Sequence, residues 1–418
     1  MTAKRGLKDD VTKDALEVTP GLPPLAAFAI TPSVHKITLD STLPYREPGF
    51  SFLVRNLGAQ EERFRGAFDI LKKAIAEQTF PGCSLAVTLD GEFLAHKACG
   101  RFTYDAGAPE VNTSTLFDLA SLTKVVATTT MAMILYERGL LDLEAPVSAV
   151  VPEFTGQFAE NDPRRGTVTL RMLLAHSSGL PAYERLFLRA NTREQLLQAA
   201  FTTSLTAAPG TRSEYSDIGF IILGIALERL ADESLDTFCQ REIFGPVGMT
   251  HTTFNPAPGL RDTIPPTADD RTLRHRLIQG EVQDENASVL GGIAPHAGLF
   301  STSEDLATFA HSMLNGGQPI LRATTVQIFT RRESAPAGTS RALGWDTPSL
   351  PSQSGKYLSS RSIGHLGYTG TSLWIDPERQ VSITLLTNRT WPDCRNEAIK
   401  QVRPAFYDAV MEALGTKA

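Results

Sequence analysis

The alternation of apolar and polar residues predicts regular elements at both ends of the chain. In EERFRGAFDILKKAIAEQ, residues 61–78, the apolar side chains recur with the three-to-four-residue spacing of a helix: Phe64, Phe68, Leu71 and Ile75. The next stretch, CSLAVTLDGEFLAHKACG, has two apolar segments around Asp90-Gly91, which predicts a β-hairpin. Near the C-terminus, TSLWIDPERQVSITLLTNR predicts two strands joined at Asp376-Pro377. The last segment returns to helical spacing, at Ile399, Val402, Phe406, Val410 and Leu414.

The middle of the chain has mostly helical patterns. SLTKVVATTTMAMILYERGLLDL predicts one helix that stops near Gly139, and DIGFIILGIALERLA and LDTFCQREIFGPVG predict two more. Strands and a helix at both ends, with helices between them, indicate an α+β fold in which an antiparallel sheet is flanked by helices and carries an inserted, mainly helical domain. We place an N-terminal extension at 1–58, a discontinuous sheet domain at 59–135 and 290–418, and the helical domain at 136–289.

Composition excludes several classes of function. The 418 residues include 40 basic and 46 acidic ones, a net charge of −6, and no basic run, which argues against a nucleic-acid partner. No apolar run approaches the roughly 20 residues of a membrane span. The start, MTAKRGLKDDVTKDALEV, is polar and acidic, so we expect no signal peptide and a cytoplasmic location.

The stretch DLASLTKVVATTT places Ser121 three residues before Lys124, at the start of an apolar helical run. On a helix these two side chains are neighbours, whereas the other S-x-x-K pair, Ser33 and Lys36, lies in a β-branched stretch where they are not. A lysine near a helix N-terminus and among apolar residues is pushed toward its neutral form, which is a base for the serine hydroxyl. A helix-capping serine followed by a surface lysine is the alternative, and this stretch alone leaves both open.

Two further stretches favour the catalytic interpretation. SEYSDIGFIILG places Tyr215 just before an apolar helix, and SIGHLGYTGTSLWIDPE places His365 and Gly367 beside a late strand. The order S-x-x-K, Y-x-(N/D), (K/H)-x-G is related to the motif set of β-lactamases and penicillin-binding proteins.

On these motifs the chain resembles the serine β-lactamase-like superfamily, which includes class C β-lactamases, low-molecular-weight penicillin-binding proteins and family VIII carboxylesterases. The resemblance spans roughly 61–412 and includes LLDLEAPVSAVVPEF, VTLRMLLAHSSGLP and HAGLFSTSEDLATF. It implies a β-lactamase/transpeptidase-like fold and no cofactor or metal.

The resemblance also implies a role for each motif residue. Ser121 matches the acylated nucleophile, Lys124 the lysine that helps to deprotonate it, and Tyr215 the tyrosine that relays the proton. The backbone N–H groups of Ser121 and Tyr368 match the oxyanion hole, beside His365 and Gly367.

Two departures from the family pattern bear on specificity. Asp217 stands where class C β-lactamases have Asn, and its charge is expected to raise the pKa of Lys124 and to shift weight to Tyr215 as the base. His365 stands where a lysine is usual, and a neutral imidazole attracts a substrate carboxylate less than an ammonium does. Both departures favour neutral ester substrates.

Several other residues are expected to have structural roles or to line the site. His176 suggests a Ser-His-Asp triad, but a structural histidine beside a turn is the favoured interpretation. His296 is a candidate for lining the site, Ser303 with Asp305 is typical of a helix start, and Trp374 is expected in the core. The scattered histidines and the four unpaired cysteines predict no metal site.

We therefore predict a serine hydrolase that forms an acyl-enzyme on Ser121, a carboxylesterase acting on short-chain acyl esters. The alternatives are a D-Ala-D-Ala carboxypeptidase or class C-like β-lactamase and, from another class, a catalytically weak binding relative. The expected partner is a small ester or amide substrate, and the sequence leaves the oligomeric state open.

Overall fold

The computed structural model describes residues 53–155, 162–271, 273–349 and 351–415. The strands are β1 (Val54–Arg55), β2 (Gly82–Leu89), β3 (Glu92–Gly100), β4 (Phe117–Asp118), β5 (Thr253–Phe254), β6 (Ala268–Asp270), β7 (Arg276–Ile278), β8 (Leu299–Ser301), β9 (Ile363–Leu366), β10 (Ser372–Asp376) and β11 (Val381–Thr387). The α-helices are α1 (Gln60–Arg63), α2 (Arg65–Ala76), α3 (Thr130–Glu137), α4 (Leu170–Leu174), α5 (Arg193–Phe201), α6 (Asp217–Ala231), α7 (Leu235–Cys239), α8 (Gly245–Val247), α9 (Glu285–Val289), α10 (Ser303–Leu314), α11 (Ala323–Thr330) and α12 (Ile399–Ala413).

The main sheet has six strands in the order β1-β3-β2-β11-β10-β9. All neighbours are antiparallel except β1 and β3, which are parallel. Both predicted hairpins are present, with Leu89 opposite Glu92 in the first and Asp376 opposite Val381 in the second. The sheet therefore joins the two ends of the described chain, as the α+β prediction requires.

Alternating residues of β2 contact different helices, because successive side chains of a strand point to opposite faces. Leu85 and Val87 belong to the core shared with α2 and α12, where Trp374 is also buried, as predicted. On the other face Ala86 packs with Ala307 of α10. Helices thus cover both faces of the sheet.

The predicted helix after Ser121 is not uniformly α-helical. It starts with a 3₁₀ turn, Ala120–Leu122, continues as a π-helix, Lys124–Thr129, and becomes α-helical only in α3. The predicted helix at 235–248 likewise contains a π-helical segment, Gln240–Phe244, between α7 and α8. Such irregular turns are frequent at functional sites, and sequence periodicity does not distinguish them from α-helix.

The end of the predicted N-terminal extension forms part of the main sheet. Most of the proposed extension, 1–58, lies outside the described residues, but its end contains β1, which pairs with β3 and belongs to the sheet. The division into a sheet domain and a helical domain at 136–289 stays a prediction.

Candidate active site

The turn that carries Ser121 has an uncommon backbone conformation. Ala120, directly before the serine, has φ +47°, a left-handed conformation that costs an L-residue with a side chain about 1–2 kcal/mol. The buried carboxylate of Asp118 accepts the Ala120 N–H at 2.8 Å through Oδ1 and the Gln283 N–H at 2.7 Å through Oδ2. Burial raises the pKa of Asp118 to about 6, against the influence of these amides. Asp118 therefore stabilises the turn and ties it to the segment after β7.

Lys124 is completely buried, and its Nζ atom contacts three oxygens. It lies 2.6 Å from Asp217 Oδ1, 2.9 Å from the His296 carbonyl oxygen and 3.0 Å from Ser121 Oγ. The His296 carbonyl accepts one of the N–H groups in a hydrogen bond, whereas the contact with Asp217 is an ion pair. The 3.0 Å contact with Ser121 Oγ places the lone pair of a neutral amine within reach of the serine proton.

Tyr215 completes the group that was predicted from the motifs. Its hydroxyl donates to Ser121 Oγ at 2.7 Å. Ser216, the next residue, caps α6 by accepting the Gly219 N–H at 3.0 Å, and its own N–H donates to His176 Nδ1 at 3.0 Å. The hydrogen bonds of Ser216 at the start of α6 thus hold the neighbouring Tyr215 in place. Asp217, in the first turn of the same helix, contributes its carboxylate to the site.

The protonation preferences of the site follow from burial and from Asp217. Burial lowers the pKa of Lys124 below its ordinary value, although the Asp217 carboxylate acts in the opposite direction. Burial, together with the same carboxylate, raises the pKa of Tyr215 well above its ordinary value. Asp217 therefore does raise the pKa of Lys124, as predicted, but burial outweighs it. The raised pKa keeps the Tyr215 hydroxyl protonated, and the transfer of the base role to Tyr215 stays a prediction.

The loop after β9 approaches the nucleophile turn through backbone contacts. Thr369 Oγ1 donates to the Asp118 carbonyl at 2.7 Å, and Thr371 Oγ1 donates to the Leu119 carbonyl at 2.9 Å. A Cβ atom at Gly367 would lie 2.5 Å from the Leu119 carbonyl oxygen, so the approach requires glycine. The motif glycine predicted from sequence is therefore a packing requirement of this contact.

His365 lies beside this loop, on β9, with its ring centroid 5.8 Å from that of Tyr215. Its Nδ1 atom lies 2.8 Å from the Leu366 carbonyl oxygen, so Nδ1 carries the proton. The buried Nε2 is then an acceptor, and within the described residues it has no partner. Burial and the charges of Lys124 and Arg341 hold the pKa of His365 well below its ordinary value. The imidazole is therefore neutral, as the sequence analysis expected.

Arg341 is a site residue that the sequence analysis missed. Its guanidinium lies over the Tyr215 ring, 5.5 Å from the centroid, and 3.6 Å from Asp346 Oδ2. It borders a cavity of about 320 Å³ that Tyr215, Ser213 and Gly338 also line. The RALGW stretch that contains it has no catalytic motif, so only the fold shows that this cation reaches the site.

The loop that supplies the His296 carbonyl is held between two helices. Thr128 Oγ1, in the π-helix, donates to the Pro295 carbonyl at 2.6 Å. On the other side, a Cβ at Gly224 of α6 would lie 1.8 Å from Pro295 Cγ. His296 Nε2 lies 3.0 Å from Asp284 Oδ1. His296 thus contributes to the site through its backbone oxygen, which a residue pattern does not reveal.

The remaining candidates have structural roles. His176 is buried, accepts the Ser216 N–H and stacks on Phe220 at 5.0 Å, so it belongs to no Ser-His-Asp triad among the described residues. Ser303 and Asp305 begin α10, where Thr302 caps the helix by accepting the Asp305 N–H. The pair Ser33 and Lys36 lies outside the described residues.

The described residues contain no group of three or more His, Cys, Asp or Glu side chains arranged to hold a metal ion. None of the helices in the described ranges has both the length and the apolarity to cross a bilayer. The cytoplasmic location therefore stays a prediction.

The fold and this group of side chains define a serine hydrolase with the β-lactamase architecture. The family model described as Beta-lactamase matches residues 67–405 of the chain. The chain therefore belongs to the beta-lactamase family.

Two curated relatives are identical to this chain at about a third of the aligned positions. An N-acetylmuramyl-L-alanine amidase of Bacillus subtilis strain 168 is 32% identical in an alignment of 348 residues, which covers 74% of this chain and 77% of the relative. A protein of Escherichia coli strain K12 that carries the name D-alanyl-D-alanine carboxypeptidase is 31% identical in an alignment of 347 residues, which covers 74% of this chain and 79% of the relative.

Solved structures agree on the fold. The hydrolase EstCE1, described as having promiscuous acyltransferase activity, has a TM-score of 0.67 at 21% identity, over 84% of this chain and 99% of its own. A penicillin-binding protein homologue from Pyrococcus abyssi has a TM-score of 0.65 at 21% identity, and the match covers 84% of this chain and 77% of the homologue.

Proposed function

We propose that this protein is a carboxylesterase that hydrolyses short-chain acyl esters through an acyl-enzyme on Ser121. The observation that carries the proposal is the set of contacts around Ser121 Oγ, with Lys124 Nζ at 3.0 Å and the Tyr215 hydroxyl at 2.7 Å. The contact with Lys124 places the lone pair of a neutral amine within reach of the serine proton.

In the first step neutral Lys124 takes the Ser121 proton as Oγ bonds to the substrate carbonyl carbon. The carbonyl electron pair moves onto its oxygen, and the tetrahedral intermediate then collapses as the bond to the leaving alcohol breaks. Tyr215 passes a proton to the leaving oxygen and recovers one from Lys124. Water then attacks the acyl-enzyme in the reverse sense, which releases the acid and restores Ser121.

The developing negative charge needs donors, which the backbone of Ser121 and Tyr368 supplies in this proposal. Neither of these N–H groups donates a hydrogen bond to another residue in the part of the chain that the structure describes. Free N–H groups fixed in place before the reaction stabilise an oxyanion at no cost in reorganisation.

The preference for small, neutral esters rests on His365 and on the cavity. A neutral imidazole whose unpaired nitrogen, the buried Nε2, is an acceptor offers a carboxylate no hydrogen bond. The cavity has a volume of about 320 Å³, and Ser121 and His365 are not among the residues that line it, so in this proposal it holds only the part of a small substrate that extends past Tyr215.

Arg341 favours a second candidate, a D-Ala-D-Ala carboxypeptidase or another hydrolase of carboxylate-bearing amides. Its guanidinium borders the same cavity and can bind a carboxylate in a bidentate manner. The names of the curated relatives, an amidase and a D-alanyl-D-alanine carboxypeptidase, point the same way.

Purified protein assayed with p-nitrophenyl acetate and butyrate, nitrocefin and a D-Ala-D-Ala peptide separates these candidates. We expect the highest kcat/KM with the neutral esters, complete loss in Ser121→Ala, and fluorophosphonate labelling at Ser121 only. Ser178→Ala, a buried serine beside His176, is the matched control and should keep both activity and labelling. A preference for the peptide would establish the second candidate, and labelling at Ser178 would overturn the assignment of the nucleophile.

A further inference from the structure

Two arginines bind carbonyl oxygens of the loop that carries the proposed oxyanion donor. Arg403 Nη2, from α12, donates to the Gly367 carbonyl at 2.8 Å and to the Thr371 carbonyl at 2.7 Å. Arg389 Nε, which follows β11, donates to the Tyr368 carbonyl at 2.7 Å. The loop between β9 and β10 is therefore held through its backbone oxygens.

The bond to Gly367 also sets the direction of the Tyr368 N–H. The Gly367 carbonyl and the Tyr368 N–H belong to one peptide group, which is not among the cis bonds of the described residues. In a planar trans peptide the C=O and N–H point in opposite directions. The Gly370 N–H also donates to this oxygen, at 3.1 Å, and Arg403 adds a shorter bond from the α12 side. The N–H therefore points away from α12, while Gly367 is packed against Leu119 of the nucleophile turn.

Arg403 is an unusual residue to find in this position. It is only 5% exposed, and among the described residues no carboxylate pairs with it. Its buried Nε atom has no hydrogen-bond partner within the ranges that the structure describes. Burial lowers the pKa of Arg403 to about 10, which still leaves it cationic at neutral pH. A buried, unpaired cation is costly for the fold, and a carbonyl needs only a neutral donor to be satisfied.

The cation has a second effect on the same peptide. Hydrogen bonds in a chain polarise one another, and a charged donor on the carbonyl oxygen makes the N–H of that peptide a stronger donor. The charge on Arg403 thus strengthens the Tyr368 N–H as a donor, although Arg403 itself lies on α12 and binds the opposite side of this peptide.

We propose that Arg403 is a positioning residue for hydrolysis: it fixes and polarises the Gly367–Tyr368 peptide so that the Tyr368 N–H is presented to the oxyanion. The proposal rests on the proposed function, in which Ser121 is acylated. Arg403 contacts neither substrate nor reacting atoms.

The test compares Arg403→Met, which removes the charge and the donors, with Arg403→Lys, which keeps a cation. Arg165→Met is the matched control, because Arg165 is also buried and donates to three backbone carbonyls, those of Phe154, Phe201 and Thr203, outside the site. For each protein we measure kcat and KM with p-nitrophenyl acetate, the rate of fluorophosphonate labelling of Ser121, the pH profile and thermal unfolding.

In Arg403→Met we expect kcat and the labelling rate to fall by about 10²–10³, as when one oxyanion donor is lost, with KM nearly unchanged. The pH at which kcat/KM rises should not change, because the substitution does not alter Lys124, the proposed base. Arg403→Lys should recover part of the loss, and Arg165→Met should lower neither rate per folded molecule.

Several outcomes would overturn the proposal. The first is that Arg403→Met keeps the wild-type kcat, or that its kcat falls no further than that of Arg165→Met. The second is that kcat/KM falls only because KM rises. If Arg403→Met does not fold, Arg403→Lys decides, since a wild-type kcat in that variant contradicts a role for the two-carbonyl contact. The proposed function fails separately, when wild-type protein neither turns over esters nor is labelled at Ser121.

Discussion

Removing the charge of Asp217 should shift the pH dependence of the enzyme toward acid. Asp217→Asn replaces a carboxylate whose Oδ1 atom lies 2.6 Å from Lys124 Nζ. The carboxylate favours the ammonium form, so its loss lowers the pKa of Lys124, which burial already holds below its ordinary value. Activity requires the neutral amine, and kcat/KM therefore rises with pH through that pKa.

The size of the shift follows from the contact. Unit charges 2.6 Å apart attract by about 6 kcal/mol at an effective dielectric constant of about 20, which bounds the effect. The amide oxygen of Asn still accepts a hydrogen bond, and close opposite charges in proteins shift a pKa by about 1–3 units. We therefore expect the rise to move down by about 1–3 pH units, equivalent to about 1.4–4 kcal/mol at about 1.4 kcal/mol per unit.

The assay is kcat/KM for p-nitrophenyl acetate as a function of pH, because this ratio reports the pKa values of the free enzyme. Below the wild-type rise, the variant should be the faster enzyme, while its plateau is lower because the base is weaker. Glu194→Gln, which removes a first-turn carboxylate from α5, is the control and should leave the profile in place. If kcat/KM of Asp217→Asn rises at the wild-type pH or at a higher one, the assignment of Lys124 as a base whose pKa Asp217 raises would be refuted.

Four further single variants and one double variant probe the rest of the site. Lys124→Ala and Tyr215→Phe should each lower kcat/KM for p-nitrophenyl acetate by about 10²–10⁴, and the double variant should be little worse than either, whereas multiplying losses would mean that one residue is only structural. Gly224→Ala should destabilise the protein by about 1–3 kcal/mol in urea unfolding, because the added methyl would meet Pro295; unchanged stability would contradict this contact. His365→Lys should raise kcat/KM for nitrocefin relative to p-nitrophenyl acetate about fivefold, or about 1 kcal/mol, and a ratio that moves toward the ester would remove the main support for the esterase.

The site residues that could be predicted from the sequence act through their side chains and lie at a fixed spacing from one another in the chain. Ser121 and Lys124 are adjacent for any helical backbone, since even a 3₁₀ turn brings residues three apart into line. Tyr215 and Asp217 lie at the start of α6, where the long apolar run made a helix N-terminus easy to place. The sheet was predictable because its hairpins have strong turn signals.

The residues that were missed act across long distances in the chain or through the backbone. Asp118 lies three residues before Ser121, yet nothing in DLASLTK indicates a left-handed alanine that needs an acceptor for its N–H. Arg341 and Arg403 come from stretches without a motif and reach the site only through tertiary packing. The His296 carbonyl depends on the close contact between Gly224 and Pro295, which periodicity does not encode.

These contacts also explain how a buried lysine and a carboxylate coexist beside a serine. Asp217 alone would keep Lys124 protonated, and burial alone would leave it neutral but free to rotate. The His296 carbonyl fixes one N–H direction and the carboxylate pairs with the amine, while burial lowers the pKa of Lys124 below its ordinary value and so favours the neutral form that the proposed base requires. Replacing Asp217 by Asn is then expected to change the working pH range of the site, whereas the His296 carbonyl, which the substitution leaves in place, should still orient the amine.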